Sequence, residues 1–280
     1  MDIIVKPQGK KIKKIGIAFG GGGARGFAHL GVVKAFEELG VHFDYIAGTS
    51  IGAIVGALYA YGMSSEDMIE RALKIRIKDL KTNTIPFMPS KTDAMQDLLK
   101  SLLGDICFSD LKTPFCACAV DIRTGKEVHI TKGKLIPAIC GSSAVPAIFN
   151  PVECGDYLLF DGGLQNTIPS NIPKMHGCDA VIGVDINSTR GQGTNSKKYI
   201  DLMMASISIM MKSNAIKGYL NTDIMIKPDM QAFSSSKIIN PLDMIQQGYD
   251  ATMAVKDEIL ELFHKRNKRN IFSRLFSRRK

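Results

Sequence analysis

The 280-residue chain contains no Cys-x-x-Cys pair and no histidine cluster, so no zinc-ligand spacing is present. Its six cysteines (Cys107, Cys116, Cys118, Cys140, Cys154 and Cys178) keep mostly apolar company, as reduced, buried thiols do. Acidic residues do not cluster into a calcium loop either, and no metal or other cofactor is expected. Glycine and proline, at 26 and 11 residues, show no excess of the collagen-like or low-complexity kind. No repeat of solenoid period is visible. The basic start, Met1 to Lys14, lacks the apolar stretch and small-residue cleavage site of a secretory signal, so a cytoplasmic protein is expected.

What is present, 45% hydrophobic and 22% charged residues, fits one large domain or at most two with a sizeable core. The net charge of +9 is concentrated at one end: His264 to Lys280 carries eight Lys/Arg and no acid, while the other 28 basic residues nearly balance 27 acids. The expected division is a folded domain over residues 1–263 and a basic amphipathic tail over 264–280. In that tail Ile271, Phe272, Leu275 and Phe276 form one apolar stripe on a helix, with Arg274 among its basic flanks. The tail reads either as an interfacial segment on an anionic membrane surface, at its inner face, or as a solvated end. Nucleic acid is not an expected partner, because the body has no basic excess.

Lys14 to Phe19 predicts a strand, Gly20 to Gly23 a tight turn and Arg25 to Leu39 a helix closed by Gly40. Phe43 to Ala47, Gly48 to Gly52 and Ala53 to Tyr61 repeat that plan, and two βα units in succession predict an α/β fold with a parallel sheet. Further helices are predicted at about 65–77, 91–103, 199–212 and 241–263. Further strands are predicted at 115–121, 126–131, 157–160, 180–185 and 224–226, with a polar loop over 187–198. Tyr45 to Ser65 is uncharged and long enough to span a bilayer, but a glycine turn interrupts it and soluble α/β patterning surrounds it.

Gly48-Thr49-Ser50-Ile51-Gly52 is a G-x-S-x-G sequence between a strand and a helix. The glycines permit a sharp turn that presents the Ser50 hydroxyl at a helix N-terminus, which favours Ser50 as a nucleophile over a merely packed turn. Gly21-Gly22-Gly23-Ala24-Arg25-Gly26 has two readings. It satisfies the dinucleotide fingerprint, with Asp44 near the spacing of a ribose-binding acid, and its amides equally suit the oxyanion of an acyl-transfer intermediate. A dinucleotide fold has no need of a serine turn at 48–52. None of the histidines at 29, 42, 129, 176 and 264 lies in a triad-like loop, so Asp161-Gly162-Gly163, at a strand end, is the better source of a base. Met203, Met204, Met210 and Met211 read as core or as an acyl groove.

These motifs in order, with Ser142 four residues before Pro146, resemble the patatin-like phospholipase family, in particular its small bacterial members related to the neuropathy target esterase domain. The resemblance covers about residues 14–190. It implies a three-layer α/β/α sandwich with a mainly parallel central sheet, a Ser-Asp dyad in place of a triad, and hydrolysis of lipid acyl esters. It maps the nucleophile to Ser50, the proton acceptor to Asp161 and the oxyanion loop to Gly21, Gly22 and Gly23, with Arg25 holding that loop and Gly26 in it. Gly141 departs from the alanine that the family often has before the serine of its third motif. A dinucleotide-binding protein and a non-catalytic membrane scaffold stand as alternatives. A carboxylate is a weak base for this task, and nothing in the sequence says how Asp161 would be strengthened.

Overall fold

The computed structural model describes residues 12–75, 89–188 and 196–277, with the side chains of residues 200, 204 and 267–277 outside that description. Strand β1 (Ile15–Phe19) points Ile15, Ile17 and Phe19 to one face of the sheet and Gly16 and Ala18 to the other. Both faces are covered, so β1, β2 (Tyr45–Thr49), β3 (Phe115–Asp121) and β7 (Ala180–Val184) are buried along their whole length. With β8 (Ile224–Ile226) they form the parallel part of the sheet, in the order β3-β2-β1-β7-β8. Strands β4 (Lys126–Ile130), β5 (Val152–Cys154) and β6 (Tyr157–Asp161) add an antiparallel part beyond β3.

One face carries α1 (Phe27–Glu38), α2 (Ile51–Tyr61) and α8 (Pro241–Ala254). Helices α1 and α8 approach until their backbones nearly touch: a Cβ on Gly31 would overlap the Ile245 carbonyl, and one on Gly248 would overlap that of Ala28. The other face carries α6 (Asn171–Met175), whose Ile172 packs with Ala18, Ala47 and Val181, and α7 (Tyr199–Leu220), whose Ala215 joins the same cluster. Helices α3 (Ser65–Ala72), α4 (Asp93–Leu103), α5 (Leu135–Ser142) and α9 (Lys256–Ser277) complete the layers. The fold is the α/β/α sandwich that the family resemblance implied, around the parallel sheet that the βα repeats predicted.

Several boundaries differ from expectation for physical reasons. Strand β2 starts at Tyr45 because Phe43 leaves the sheet to pack edge-on against Phe36 and Phe263. Gly48 and Thr49 stay in the strand, paired with Ala117 and Cys118, so the turn is confined to Ser50. Helix α5 is unforeseen: Pro137 lies in its first turn, where a missing N–H costs nothing. Helix α7 runs two turns further than expected. The helix expected over 241–263 breaks at Val255.

Helix α9 runs without interruption across residue 264, the expected start of the tail. Arg266, counted there as tail charge, donates to the His42 carbonyl (3.0 Å) and Asp44 Oδ2 (3.1 Å) and covers the Phe263 ring. The expected membrane-contact residues Phe272, Arg274, Leu275 and Phe276 lie among side chains outside the described set. The uncharged 45–65 stretch is divided between β2 and α2, and among the described residues no helix is long and apolar enough to cross a membrane. All six cysteines are free thiols.

Candidate active site

Strand pairing brings the two key motifs together. Strand β4 occupies one edge of β3 from Ala117 to Asp121. Strands β2 and β6 therefore share the other edge, running toward each other: Thr49 pairs with Cys118 and Asp161 pairs with Ala119. Ser50 and Asp161 thus stand at the facing ends of two strands laid along a common third.

Ser50 has φ 56° and ψ −127°, a backbone conformation that L-residues rarely adopt. Such strain costs on the order of 1–3 kcal/mol and persists only where the surroundings enforce it. Here a Cβ on Gly52 would overlap the Phe19 carbonyl and one on Gly48 would overlap Gly52 itself, so the turn closes only with glycine at both places. Ser142 fixes the turn from a third side. Its Oγ donates to the Cys118 carbonyl (2.6 Å) and accepts from the Ser50 amide (3.0 Å). Thr49 Oγ1 donates to the Asn166 carbonyl at 2.8 Å, tying β2 to the segment after Asp161. The Ser50 carbonyl accepts from Ala53 at 2.8 Å, so the side chain stands at the N-terminus of α2.

Asp161 is buried, and its Oδ1 accepts from the Gly163 amide at 2.8 Å. Oδ2 has no hydrogen bond of ordinary geometry. Burial pushes the carboxyl from its ordinary 3.8 up to about 6, and the nearby Ser50 hydroxyl and the Gly163 amide pull it partly back. This is the strengthening that the sequence could not supply. Gly162 is a spatial requirement, since a Cβ there would overlap the Cys118 carbonyl, while a Cβ on Gly163 would displace the end of the Met211 side chain.

The glycine loop follows β1 and enters a short 3₁₀ turn over Gly23–Gly26. Its amides have different fates. Gly20 donates to Val184 and Gly21 to Thr167 (2.9 Å), so the Gly21 amide, expected among the oxyanion donors, is already committed. The amides of Gly22 and Gly23 have no acceptor among the described residues, and both glycines line the cavity beside Ser50. Arg25 is buried and its Nε and Nη2 both donate to the Phe233 carbonyl (2.9 and 2.7 Å), while Nη1 reaches Asn187 Oδ1 at 3.3 Å. Asn187 Nδ2 in turn donates to the Gly21 carbonyl at 2.6 Å. Gly26 sits where a Cβ would overlap Ile51, so the loop packs directly against α2.

His29 lies behind this loop. Its Nε2 contacts the Gly20 carbonyl at 2.8 Å, and because a carbonyl only accepts, Nε2 carries the proton. Burial lowers its pKa to about 4, against the raising effect of that bond, so the ring is neutral and structural at pH 7. Asp44, the acid of the dinucleotide reading, sits just before β2 and accepts from the Ile15 amide and from Arg266. It lies at the opposite end of the parallel strands from the glycine loop, about 16 Å of strand away, where a ribose acid has no use.

Two cavities meet at Ser50. One, of about 400 Å³, runs past Asp161, Asn187, Ser208 and Lys212 along α7. The other, of about 280 Å³, is apolar and extends between α2, α3 and α4 past Ile54, Leu58, Met68, Met95 and Leu99. Gly23, Ser50, Val145, Ile148, Ser235 and Ser236 border both. Of the four methionines on α7, Met211 lines the first of these two cavities; Met203 and Met210 line neither, and the Met204 side chain lies outside the described set. The apolar cavity comes instead from α2, α3 and α4, for which the sequence predicted only helices. Sequence reasoning also missed Ser235 and Ser236, whose loop docks onto the glycine turn through Ala24 N to Ser235 O at 2.9 Å. Nothing in that serine-rich stretch signals contact with residues two hundred positions earlier.

A serine on a strained strand-to-helix turn above a parallel sheet defines an α/β protein of the nucleophile-elbow type. The patatin-like phospholipase family model matches residues 17–173, and the chain belongs to that family, a family of lipid hydrolases. An NTE family protein of Mycobacterium tuberculosis is 28% identical over 229 residues, covering 78% of this chain and 63% of that relative. Patatin-like phospholipase domain-containing protein 6 of Mus musculus is 32% identical over 184 residues, covering 62% of this chain and 14% of the mouse protein. The chain thus spans less than two thirds of the length of these relatives. VipD from Legionella pneumophila shares the fold, with a TM-score of 0.62 at 13% identity over 89% of this chain and 67% of its own.

Proposed function

We propose that the chain is a serine acyl hydrolase that cleaves carboxylic ester bonds of lipids, phospholipid or lysophospholipid, through a Ser50-Asp161 dyad. The observation that carries the reading is the position of Ser50, strained beside a buried carboxylate where two cavities join. A base with a pKa of about 6 is ionised at neutral pH yet takes a proton more readily than an ordinary carboxylate.

The acyl chain occupies the apolar cavity and the alcohol portion faces Asn187 and Lys212. Asp161 Oδ2 accepts the Ser50 proton as Oγ attacks the ester carbonyl carbon, and the carbonyl oxygen becomes an oxyanion held by the Gly22 and Gly23 amides. The intermediate collapses as the C–O bond to the alcohol breaks, and Asp161 returns the proton to the departing oxygen. Water then attacks the acyl-enzyme with Asp161 again as base, releasing the fatty acid and restoring Ser50. Arg25, holding the Phe233 carbonyl, keeps the donor loop in place between turnovers.

The test is fatty-acid release from phosphatidylcholine and lysophosphatidylcholine in detergent micelles, comparing the native chain with Ser50→Ala. Release lost in the variant supports the proposal. Absence of release of either fatty acid by a folded native chain would remove it.

A further inference from the structure

Helix α7 has an outward face that the described residues leave unpartnered. Tyr199, Leu202, Ile209, Ile216 and Leu220 follow one another at spacings of three, four or seven residues, with Ser206 and Ser213 filling the intervening positions. That spacing puts them on one stripe of the helix, about 33 Å long. Tyr199 is 67% exposed, Ile216 62% and Leu220 80%. The opposite side of the same helix, through Ile207, Ala215 and Gly218, faces the body. An apolar stripe of this extent on a water-exposed helix marks an interaction surface.

Its occupant follows from where the stripe ends. Ile216 belongs to both surfaces: it is exposed on the stripe and it lines the cavity that runs to Ser50. The cavity beside Ser50 is therefore bordered, at Ile216, by an outward-facing apolar side chain. A rigid second copy seated on this stripe would cover that border, whereas a lipid surface would supply molecules to it. The charge agrees. Lys197 and Lys198 precede the helix, exposed Lys212 lines the cavity, and Asp201 is the helix's one acid.

We propose that α7 lies on a lipid surface through this stripe, so that substrate passes from the bilayer directly past Ile216 into the catalytic cavity. The lipid substrate rests on the function proposed above, but the docking surface rests on the stripe itself. It is distinct from the basic 264–280 tail.

The experiment uses the full chain and vesicles of phosphatidylcholine, with and without phosphatidylglycerol. The variant Ile209→Glu/Leu220→Glu changes two stripe residues that line neither cavity. Replacing an apolar side chain that contacts lipid by a carboxylate should weaken vesicle binding about tenfold or more. Hydrolysis of vesicle lipid should fall in parallel, with hydrolysis of p-nitrophenyl butyrate unchanged. The milder pair Ile209→Ser/Leu220→Ser guards against misfolding and should give a smaller loss in the same direction. Undiminished vesicle binding by folded variants would overturn the proposal. A native dimer that the variant splits, with vesicle binding unchanged, would assign the stripe to a second copy. If the native chain hydrolyses neither ester but the variant still loses vesicle binding, the docking surface stands and the hydrolase reading falls.

Discussion

Replacing Asp161 by asparagine should abolish hydrolysis and at the same time make the protein more stable. The folded carboxyl titrates at about 6 against an ordinary 3.8, so folding prefers its protonated form. That difference corresponds to about 3 kcal/mol. The penalty is absent below pH 4, grows as pH rises from about 4 to 6 and is constant above. Asparagine keeps the acceptor for the Gly163 amide, presents a donor where Oδ2 stood and carries no charge to bury. At pH 7 the Asp161→Asn variant should therefore melt about 5 °C above the native chain, given the unfolding entropy of a chain this long. At pH 4 the two should melt together. Thermal unfolding followed by circular dichroism across pH 4–8 reads this directly. Equal melting temperatures at pH 7, or a gap of the same size at every pH, would refute the claim that Asp161 is held ionised against its burial.

Ser142→Ala removes the hydroxyl between the Ser50 amide and the Cys118 carbonyl, leaving two buried groups unpaired. It should cost about 1–3 kcal/mol in urea unfolding and lower kcat with little change in KM. Gly52→Ala forces a methyl into the Phe19 carbonyl, and poor soluble expression or a loss of more than about 3 kcal/mol is expected. Glu127 is half-buried, which by itself would raise its carboxyl, but His129, Lys217 and Asn166 more than offset this and hold it at about 2. Its stabilising effect is present above the ordinary 4.5 and is lost as pH falls toward 2. Glu127→Gln should cost about 2 kcal/mol at pH 7, allowing for the half-exposed Lys217. Acid titration of the fold should lose its step below pH 4.5 in that variant.

The parallel sheet was legible because apolar strands ending in glycine turns can hardly be anything else, and β3 and β8 fall where the residues predicted them. The site was legible as a set of motifs and illegible as a geometry. Gly48 to Gly52 and Asp161 to Gly163 each announce a tight backbone. Only the pairing of Thr49 and Asp161 with adjacent residues of β3 says that they meet. The raised pKa of Asp161 is a property of burial among distant segments, and no local pattern encodes it. The same holds for the Gly21 amide, whose acceptor on Thr167 lies 146 positions away. Helix α5 escaped notice because Pro137 and Gly141 break its pattern, although the tertiary contacts of Leu135, Ile136 and Ile139 hold it. The α7 methionines could be read as core or as an acyl groove, and only the structure shows Met211 lining the cavity beside Ser50, because methionine stripes look alike whether they face a core, a cavity or solvent.

The most direct measurement is covalent labelling with a fluorophosphonate probe, locating the adduct by mass and following its rate from pH 4.5 to 8. The account predicts a single adduct on Ser50, absent in Ser50→Ala and greatly slowed in Asp161→Asn. Its rate should rise through a midpoint near pH 6, where Asp161 ionises. A folded protein that takes no label, or one labelled at Ser50 with a rate indifferent to Asp161→Asn, would contradict the dyad.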